Sequence, residues 1–163
     1  MPANQIRIIG GTHRGRRLHF VPAAGLRPTA DRVRETLFNW LQGEVQGRRC
    51  LDLFAGSGAL GLEALSRGAA QLTLVEQARA VARQLLHNVE LLGEAARCTV
   101  RQGDAFRLLA GPAAEVSGAP FDLVFIDPPF RDQRLRQLLD ALTRPGWLAP
   151  AAWIYIEQDS ARD

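Results

Sequence analysis

Apolar and polar residues follow two different patterns along this chain, and the change falls near residue 48. In the first part, short strand-like segments at 6–9 and 16–20, in which apolar and polar residues are mixed, flank a glycine-rich stretch at 10–15, which predicts a β-hairpin. Residues 30–42 repeat apolar side chains at helical spacing, and Thr29 is the predicted N-cap of that helix. We expect its buried stripe to consist of Val33, Leu37, Trp40 and Leu41.

From residue 48 onward, strand-like and helix-like segments alternate. The predicted strands cover residues 50–54, 71–75, 98–102, 121–126 and 153–156, and the predicted helices cover 58–67, 78–92, 104–110 and 132–143. Such alternation predicts an α/β fold with a doubly wound, mainly parallel sheet and helices on both faces. We divide the chain into a hairpin extension (1–25) and a main domain (26–163).

Composition limits the class of protein. The chain has 163 residues, 47% of them hydrophobic, which suits one domain with a real core. No apolar run approaches the ~20 residues that span a bilayer, and the N-terminus lacks a signal-peptide pattern, so we expect a cytoplasmic monomer without membrane contact. Cys50 and Cys98 are predicted to be buried free thiols. No Cys/His cluster has metal-ligand spacing, so no metal is expected.

The net charge of +3 is unevenly distributed. Residues 1–49 contain nine arginines against three acids, a net charge of +6, and the remainder carries −3. Clustered arginine is typical of a phosphate-binding surface. The hairpin and the segment that follows it are therefore the predicted phosphate-binding surface.

The strand-like run 121–126 ends in Asp127-Pro128-Pro129-Phe130. The two prolines remove two backbone donors and hold the preceding residues extended. A carboxylate and an unpaired carbonyl are then directed at one point, beside an aromatic ring. Two acceptors and a ring suit a planar base with an exocyclic amine, whereas the structural alternative is a Pro-Pro strand terminator with a solvated Asp127.

A second motif, Asp52-Leu-Phe-Ala-Gly56-Ser-Gly58-Ala-Leu-Gly61, follows the first strand of the main domain. Its glycines match the dinucleotide fingerprint, and Glu76 lies where a ribose-binding acid belongs, so the loop alone also fits a nicotinamide enzyme. Asp52 favours a cationic sulfonium and ammonium over a pyrophosphate. Asp104, after the third strand, is placed to accept from an adenine amine; its alternative role is a helix N-cap.

On these motifs the chain resembles the class I S-adenosylmethionine-dependent methyltransferases, and closely the RsmD-type 16S ribosomal RNA guanine-N2 methyltransferases. Further matching segments are Arg7-Ile-Ile-Gly-Gly11, Arg14-Gly-Arg16, Arg27-Pro-Thr29 and Asp31-Arg-Val-Arg-Glu-Thr-Leu-Phe-Asn-Trp40. The resemblance implies a Rossmann-like methyltransferase domain, and a further helix and antiparallel strand pair after the fifth strand. Without them, residues 153–157 would form an exposed sheet edge.

The resemblance also implies the roles of individual residues. Methyl transfer to guanine N2 is expected at Asp127, Pro128, Pro129 and Phe130, without a metal. S-adenosylmethionine is expected at Asp52, Phe54, Ala55, Gly56, Ser57, Gly58, Glu76, Gln77, Asp104 and Ala105. The expected RNA contacts are Arg7, His13, Arg14, Arg16, Arg17, Arg27, Arg32 and Arg34. For Arg32 and Arg34, an ion pair with Asp31 or Glu35 is an equal alternative.

Several functions stay open at this point. The resemblance implies small-subunit ribosomal RNA as the substrate, and leaves open whether it is naked RNA, a ribosomal-protein-bound assembly intermediate or a finished subunit. The nearest alternative is a DNA or other RNA amino-methyltransferase acting on adenine N6 or cytosine N4. A nicotinamide oxidoreductase and a non-catalytic RNA-binding module are the more distant ones.

Overall fold

A computed structural model describes residues 4–21, 30–130 and 133–157. The strands are β1 (Gln5–Arg7), β2 (Arg17–His19), β3 (Arg49–Asp52), β4 (Gln71–Glu76), β5 (Cys98–Gln102), β6 (Phe121–Ile126) and β7 (Leu148–Ile156). The α-helices are α1 (Asp31–Trp40), α2 (Ala59–Ser66), α3 (Arg79–Leu91), α4 (Ala105–Ala110) and α5 (Gln133–Leu142), and a short 3-10 helix covers Ala113–Glu115.

β1 and β2 form the predicted antiparallel hairpin, and the other five strands form one parallel sheet in the order β5-β4-β3-β6-β7. Strand order therefore reverses at β3, which lies between β4 and β6. This confirms the predicted α/β, doubly wound architecture. β7 begins five residues before the predicted strand and lies at the sheet edge, where Trp153 is 55% exposed.

Each face of the sheet is covered by its own core. Along β6, Leu123 and Phe125 face a core shared with the hairpin and α1 to α3, whereas Val124 and Ile126 face the core under α4 and α5. This alternation follows from the two-residue period of a strand. Because both faces of β6 are buried, successive residues of the strand must be apolar, which is the pattern from which β6 was predicted.

The hairpin packs directly on the main domain. Ile6, Ile8 and Leu18 are buried in the core that α1 and α2 also line. Gly11 approaches α2 so closely, at a φ of +82°, that an added Cβ would lie 2.0 Å from the Ser66 carbonyl oxygen. The hairpin and α2 are thus fixed against each other. The proposed boundary at residues 25 and 26 lies outside the described residues.

Helix α1 is rotated relative to the predicted stripe. Val33 and Trp40 are 41% and 77% exposed, so their prediction as core residues is wrong. The buried face instead contains Arg34, Leu37, Phe38 and Leu41. Phe38 packs on Phe125, with ring centroids 6.0 Å apart, and Arg34 reaches a buried carboxylate of α2. The helix face was predicted from apolar residues alone, and that pattern cannot show that an arginine lies in the core. The predicted N-cap Thr29 lies outside the described residues, and Ala30 occupies the N-cap position.

The expected cysteine chemistry is confirmed, since Cys50 and Cys98 are both buried and free. Burial raises the pKa of each thiol to about 12, which keeps both protonated at neutral pH. Within the described ranges, no group of His, Cys, Asp or Glu side chains could hold a metal ion. None of the helices described is long and apolar enough to cross a bilayer.

Candidate active site

The predicted site residues follow the carboxyl ends of β3, β4, β5 and β6, which meet at one edge of the sheet. Backbone hydrogen bonds tie these ends together: Leu53 N donates to Phe125 O at 3.2 Å, and Ala55 N donates to Val75 O at 2.9 Å. Asp52 is the Cα partner of Phe125, which places Asp127 just beyond it on the neighbouring strand. Ligands of open α/β sheets bind at this edge, where strand order reverses.

The glycine loop joins β3 to α2 and is held by its own backbone conformation. Gly56 and Gly58 have φ values of 54° and 83°, in the left-handed region that glycine adopts without strain. A Cβ on Gly58 would also lie 2.8 Å from the side chains of Leu62 and Leu85. Both the turn and the packing of α2 against α3 therefore require glycine at position 58.

Asp52 is buried at the base of this loop and is 1% exposed. Its Oδ2 accepts a hydrogen bond from Gly61 N at 3.1 Å, whereas its Oδ1 has no hydrogen-bond partner among the described residues. Burial raises the pKa of Asp52 to about 7, the nearby amides of Gly61 and Phe54 oppose this rise, and the negative charges of Asp127 and Glu76 add to it. A buried carboxylate with a raised pKa and an unpartnered oxygen is suited to bind a cationic group.

Glu76 and Asp104 organise the two neighbouring loops. Glu76 Oε1 accepts from Gly56 N at 3.1 Å and Oε2 accepts from Ala78 N at 2.7 Å, so this carboxylate links the glycine loop to the start of α3. Asp104 Oδ1 accepts from Phe106 N at 2.9 Å. Its alternative role as the N-cap of α4 is thus confirmed, and the adenine contact stays a prediction. Gln77 is exposed and Ala105 is buried beside these two acids.

Three phenylalanines join the loops into one aromatic cluster (Phe54, Phe106 and Phe130). Phe130 meets Phe54 edge-on, with ring centroids 5.4 Å apart, and meets Phe106 at 5.5 Å with a tilt of 39°. Phe54 follows β3, Phe106 lies in α4 and Phe130 ends the Asp-Pro-Pro-Phe motif. The cluster therefore holds the motif against the loops predicted to bind the cofactor. The ring of Phe130 is half-buried, as are Asp127 and Pro128, and Pro129 is exposed.

The predicted RNA residues differ in how far they are exposed to solvent. Arg7, Arg14, Arg16, Arg17 and Arg32 are exposed, and Arg7 lies 3.5 Å from Asp31. Their RNA contacts stay predictions. His13 is largely enclosed, with its Nε2 2.8 Å from Glu94 Oε2, and Arg27 lies outside the described residues.

Among the predicted RNA contacts, the role of Arg34 has to be corrected. It is 1% exposed and pairs with Asp31 and with Glu63, at 3.2 Å from Glu63 Oε1. A guanidinium enclosed in this way cannot reach a phosphate, so the prediction of Arg34 as an RNA contact is wrong and the alternative ion pair with Asp31 is confirmed.

Sequence reasoning missed two residues at the site, Phe106 and Arg134, and one residue that fixes the hairpin, Glu63. Phe106 completes the aromatic cluster, and the guanidinium of Arg134 lies over two of its rings. Glu63 anchors the hairpin to α2. All eight residues of α2 are buried. In the sequence, the only sign of a role for Glu63 is that it is the single acid in an otherwise uncharged segment.

Comparison with known proteins gives consistent matches. A protein family described as "Conserved hypothetical protein 95" matches residues 6–163. Ribosomal RNA small subunit methyltransferase D of Escherichia coli K12 is 51% identical over 157 residues, which cover 96% of this chain and 76% of the relative. The Haemophilus influenzae protein of the same name is 42% identical over 160 residues, with 95% and 79% covered. The solved structure of Escherichia coli yhhF superimposes with a TM-score of 0.82 at 52% identity, covering 93% of this chain and 80% of that one.

Proposed function

The chain belongs to the family of ribosomal RNA small subunit methyltransferase D, and we propose that it methylates the exocyclic N2 of a guanine in small-subunit ribosomal RNA, with S-adenosylmethionine as the donor. The observation that supports this most directly is the position of Asp52. It is buried, its Oδ1 has no hydrogen-bond partner in the described part of the chain, and it lies one strand away from the Asp127–Phe130 motif. An anionic site beside a base-binding motif suits a cationic donor and an amine acceptor.

The residues at the sheet edge fit S-adenosylmethionine. We assign its ammonium to Asp52, its ribose to Glu76 and Gln77, and its adenine to Asp104 and Ala105. The remaining assigned contacts come from the glycine loop, Phe54–Gly58. When bound, the cofactor supplies an electrophilic methyl group. Gly56 and Gly58 have no side chains that would keep a ligand away from the backbone, and Glu76 keeps the loop in place through the Gly56 amide.

The acceptor chemistry follows from the Asp-Pro-Pro-Phe motif. The lone pair of guanine N2 is delocalised into the ring, which makes this nitrogen a poor nucleophile. Asp127 and the Pro128 carbonyl accept hydrogen bonds from its two N–H groups. These hydrogen bonds favour a tetrahedral nitrogen with a localised lone pair that can attack the methyl group. Pro129 holds the loop extended, and Phe130 fixes the plane of the base. Asp127 then takes the released proton, so the rate depends mainly on positioning.

The RNA surface is proposed on the exposed arginines Arg7, Arg14, Arg16, Arg17 and Arg32, with Arg27 added from the sequence. The target base must leave its stack to reach the motif, as single-stranded or loop bases do. Neutralising Arg14, Arg16 and Arg17 together should weaken RNA binding and flatten its dependence on salt. An unchanged slope would argue against this surface. An RNA substrate also agrees with the cytoplasmic location expected from the sequence.

Labelled methyl transfer followed by nucleoside analysis tests the reaction. Small-subunit RNA would be offered as naked RNA, as a ribosomal-protein-bound assembly intermediate and as a finished subunit. We expect N2-methylguanosine, and a loss of about a hundredfold or more in kcat for Asp127→Asn, since the amide cannot take a proton. Asp140→Asn, on the exposed face of α5, is the matched control and should retain full activity.

The alternatives give different products. N6-methyladenosine or N4-methylcytosine in DNA would replace the proposal with a DNA amino-methyltransferase. Tight binding of a nicotinamide dinucleotide would indicate an oxidoreductase. RNA binding without methyl transfer on any of the three substrates would indicate a non-catalytic module.

A further inference from the structure

Arg134 lies on the first turn of α5, four residues after Phe130, and its guanidinium covers the aromatic cluster. Its Cζ is 4.6 Å from the ring centroid of Phe130 and 4.9 Å from that of Phe106. One cation therefore contacts two rings at once. Both distances are within the range of a cation–π interaction.

The two rings come from different parts of the site. Phe106 belongs to α4, whose first residue follows the predicted adenine-binding Asp104, and Phe130 ends the Asp-Pro-Pro-Phe motif. Phe130 has no regular secondary structure of its own to hold it. Its orientation therefore depends on contacts with neighbouring rings and with Arg134.

Guanidinium chemistry suits this position. The group is planar, always charged and weakly hydrated, so it can lie across two adjacent rings that are tilted by 39°. A lysine ammonium is a compact, strongly hydrated point charge and cannot cover both rings in the same way. The arrangement thus depends on the shape of the arginine head group as well as on its charge.

Resting on the function proposed above, we propose that Arg134 is a positioning residue for methyl transfer, which fixes the ring of Phe130 relative to Asp127. The plane of Phe130 sets the plane of the stacked base, and the plane of the base sets the direction of the lone pair on its exocyclic nitrogen. A small rotation misaligns that lone pair without removing any contact that binds the RNA. Misplacement of this kind lowers kcat more than it changes KM.

Steady-state kinetics of Arg134→Ala and Arg134→Lys test this role, with Arg136→Ala as the matched control on the exposed surface of the same helix. Both Arg134 variants should lose about tenfold in kcat, with KM for RNA within about twofold, and the control should be unchanged. Thermal unfolding of each variant checks that the fold is retained. If Arg134→Ala fails to fold, Arg134→Lys carries the test.

Three results would overturn the proposal. Full activity of Arg134→Lys, together with a salt slope lowered by about one in Arg134→Ala, would indicate a phosphate contact. A lower KM in Arg134→Ala would indicate that the guanidinium occupies the place of the base. A kcat unchanged in both variants would indicate a surface cation without a role.

A measurement without turnover separates this inference from the proposed function. In the free chain, the side-chain protons of Arg134 should be shifted upfield by the ring currents of Phe106 and Phe130, and Phe130→Leu should reduce the shift. If methyl transfer occurs but the Arg134 signals are unshifted, the positioning role is wrong. If the shift is present and no RNA accepts a methyl group, the proposed function is wrong.

Discussion

Asp52 and Glu63 are the most deeply buried carboxylates among the described residues, each 1% exposed, and they have opposite hydrogen-bond environments. Glu63, in α2, accepts from Ile9 N and Gly10 N at 2.9 and 2.8 Å, and from Arg34 and Arg67 at 3.2 and 2.8 Å. Asp52 accepts from Gly61 N and leaves one oxygen without a partner among the described residues. Buried charges are normally paired, and the unpartnered oxygen of Asp52 supports the proposal that a cationic ligand binds there.

The positions of the two carboxylates explain the difference. Glu63 joins the hairpin to α1 and α2, and all of its hydrogen-bonding capacity is used within the chain. Asp52 lies at the carboxyl edge of the sheet, where we propose that it meets the ammonium group of the cofactor. The carboxylate of Glu63 thus stabilises the fold, whereas the buried carboxylate of Asp52 destabilises the chain in the absence of a ligand.

The largest expected effect is on folding, in Glu63→Ala. Removing this carboxylate takes a buried ion-pair partner from Arg34, which keeps only the partly exposed Asp31, and strands two backbone amides. We expect the free energy of unfolding to fall by about 3–5 kcal/mol, measured by urea denaturation. Glu63→Gln keeps the shape and one acceptor and should lose less.

The matched control for this change is Glu90→Ala, which removes an exposed glutamate from α3. It should change the stability by less than about 0.5 kcal/mol. A loss below about 1 kcal/mol in Glu63→Ala would contradict the anchoring role of Glu63.

The two carboxylates also differ in how far the sequence could predict them. The carboxyl ends of parallel strands share one edge whatever their side chains, so Asp52, Glu76, Asp104 and Asp127 could be grouped from strand order alone. Glu63 could not, because its partners at residues 9 and 10 are more than fifty positions away. Only the packed hairpin brings them together.

Rotation about a helix axis was equally difficult to predict. The elements themselves follow from apolar periodicity, which is why β5 and β6 match their predicted bounds. The face of α1 was misassigned because Arg34 replaces an apolar residue in the core. Arg134 was missed for a related reason, since its contacts with the rings of Phe106 and Phe130 leave no trace in the apolar pattern of α5.

The second expected effect is on cofactor binding, in Asp52→Asn. If Asp52 holds a cationic group, its loss should weaken S-adenosylmethionine binding by about a hundredfold, as measured by titration calorimetry. Asp122→Asn is the control, because it changes a carboxylate at the opposite end of β6 that accepts from Arg49 N at 2.8 Å. Equal affinity for Asp52→Asn and the unaltered chain would remove Asp52 from the site.

The smallest expected effect is the pH dependence of unfolding in the absence of ligands. The pKa of Asp52 is raised from 3.8 to about 7 in the folded chain, mainly by burial, so the folded state retains a proton that the unfolded state has released. The contribution of Asp52 to stability is therefore fully present below pH 4 and is lost as the pH rises towards 7. Between pH 5 and 7 the unaltered chain should lose about 2 kcal/mol more than Asp52→Asn.

The comparison between Asp52→Asn and the unaltered chain removes the contribution of all other titrating groups, which the two chains share. Saturating S-adenosylmethionine should reverse the trend, because a bound cation favours the ionised carboxylate and lowers its pKa. Urea denaturation at several pH values, with and without the cofactor, measures both slopes. Parallel stability curves for the two chains would show that Asp52 is already ionised without a ligand, and the contrast with Glu63 would then lose its functional meaning.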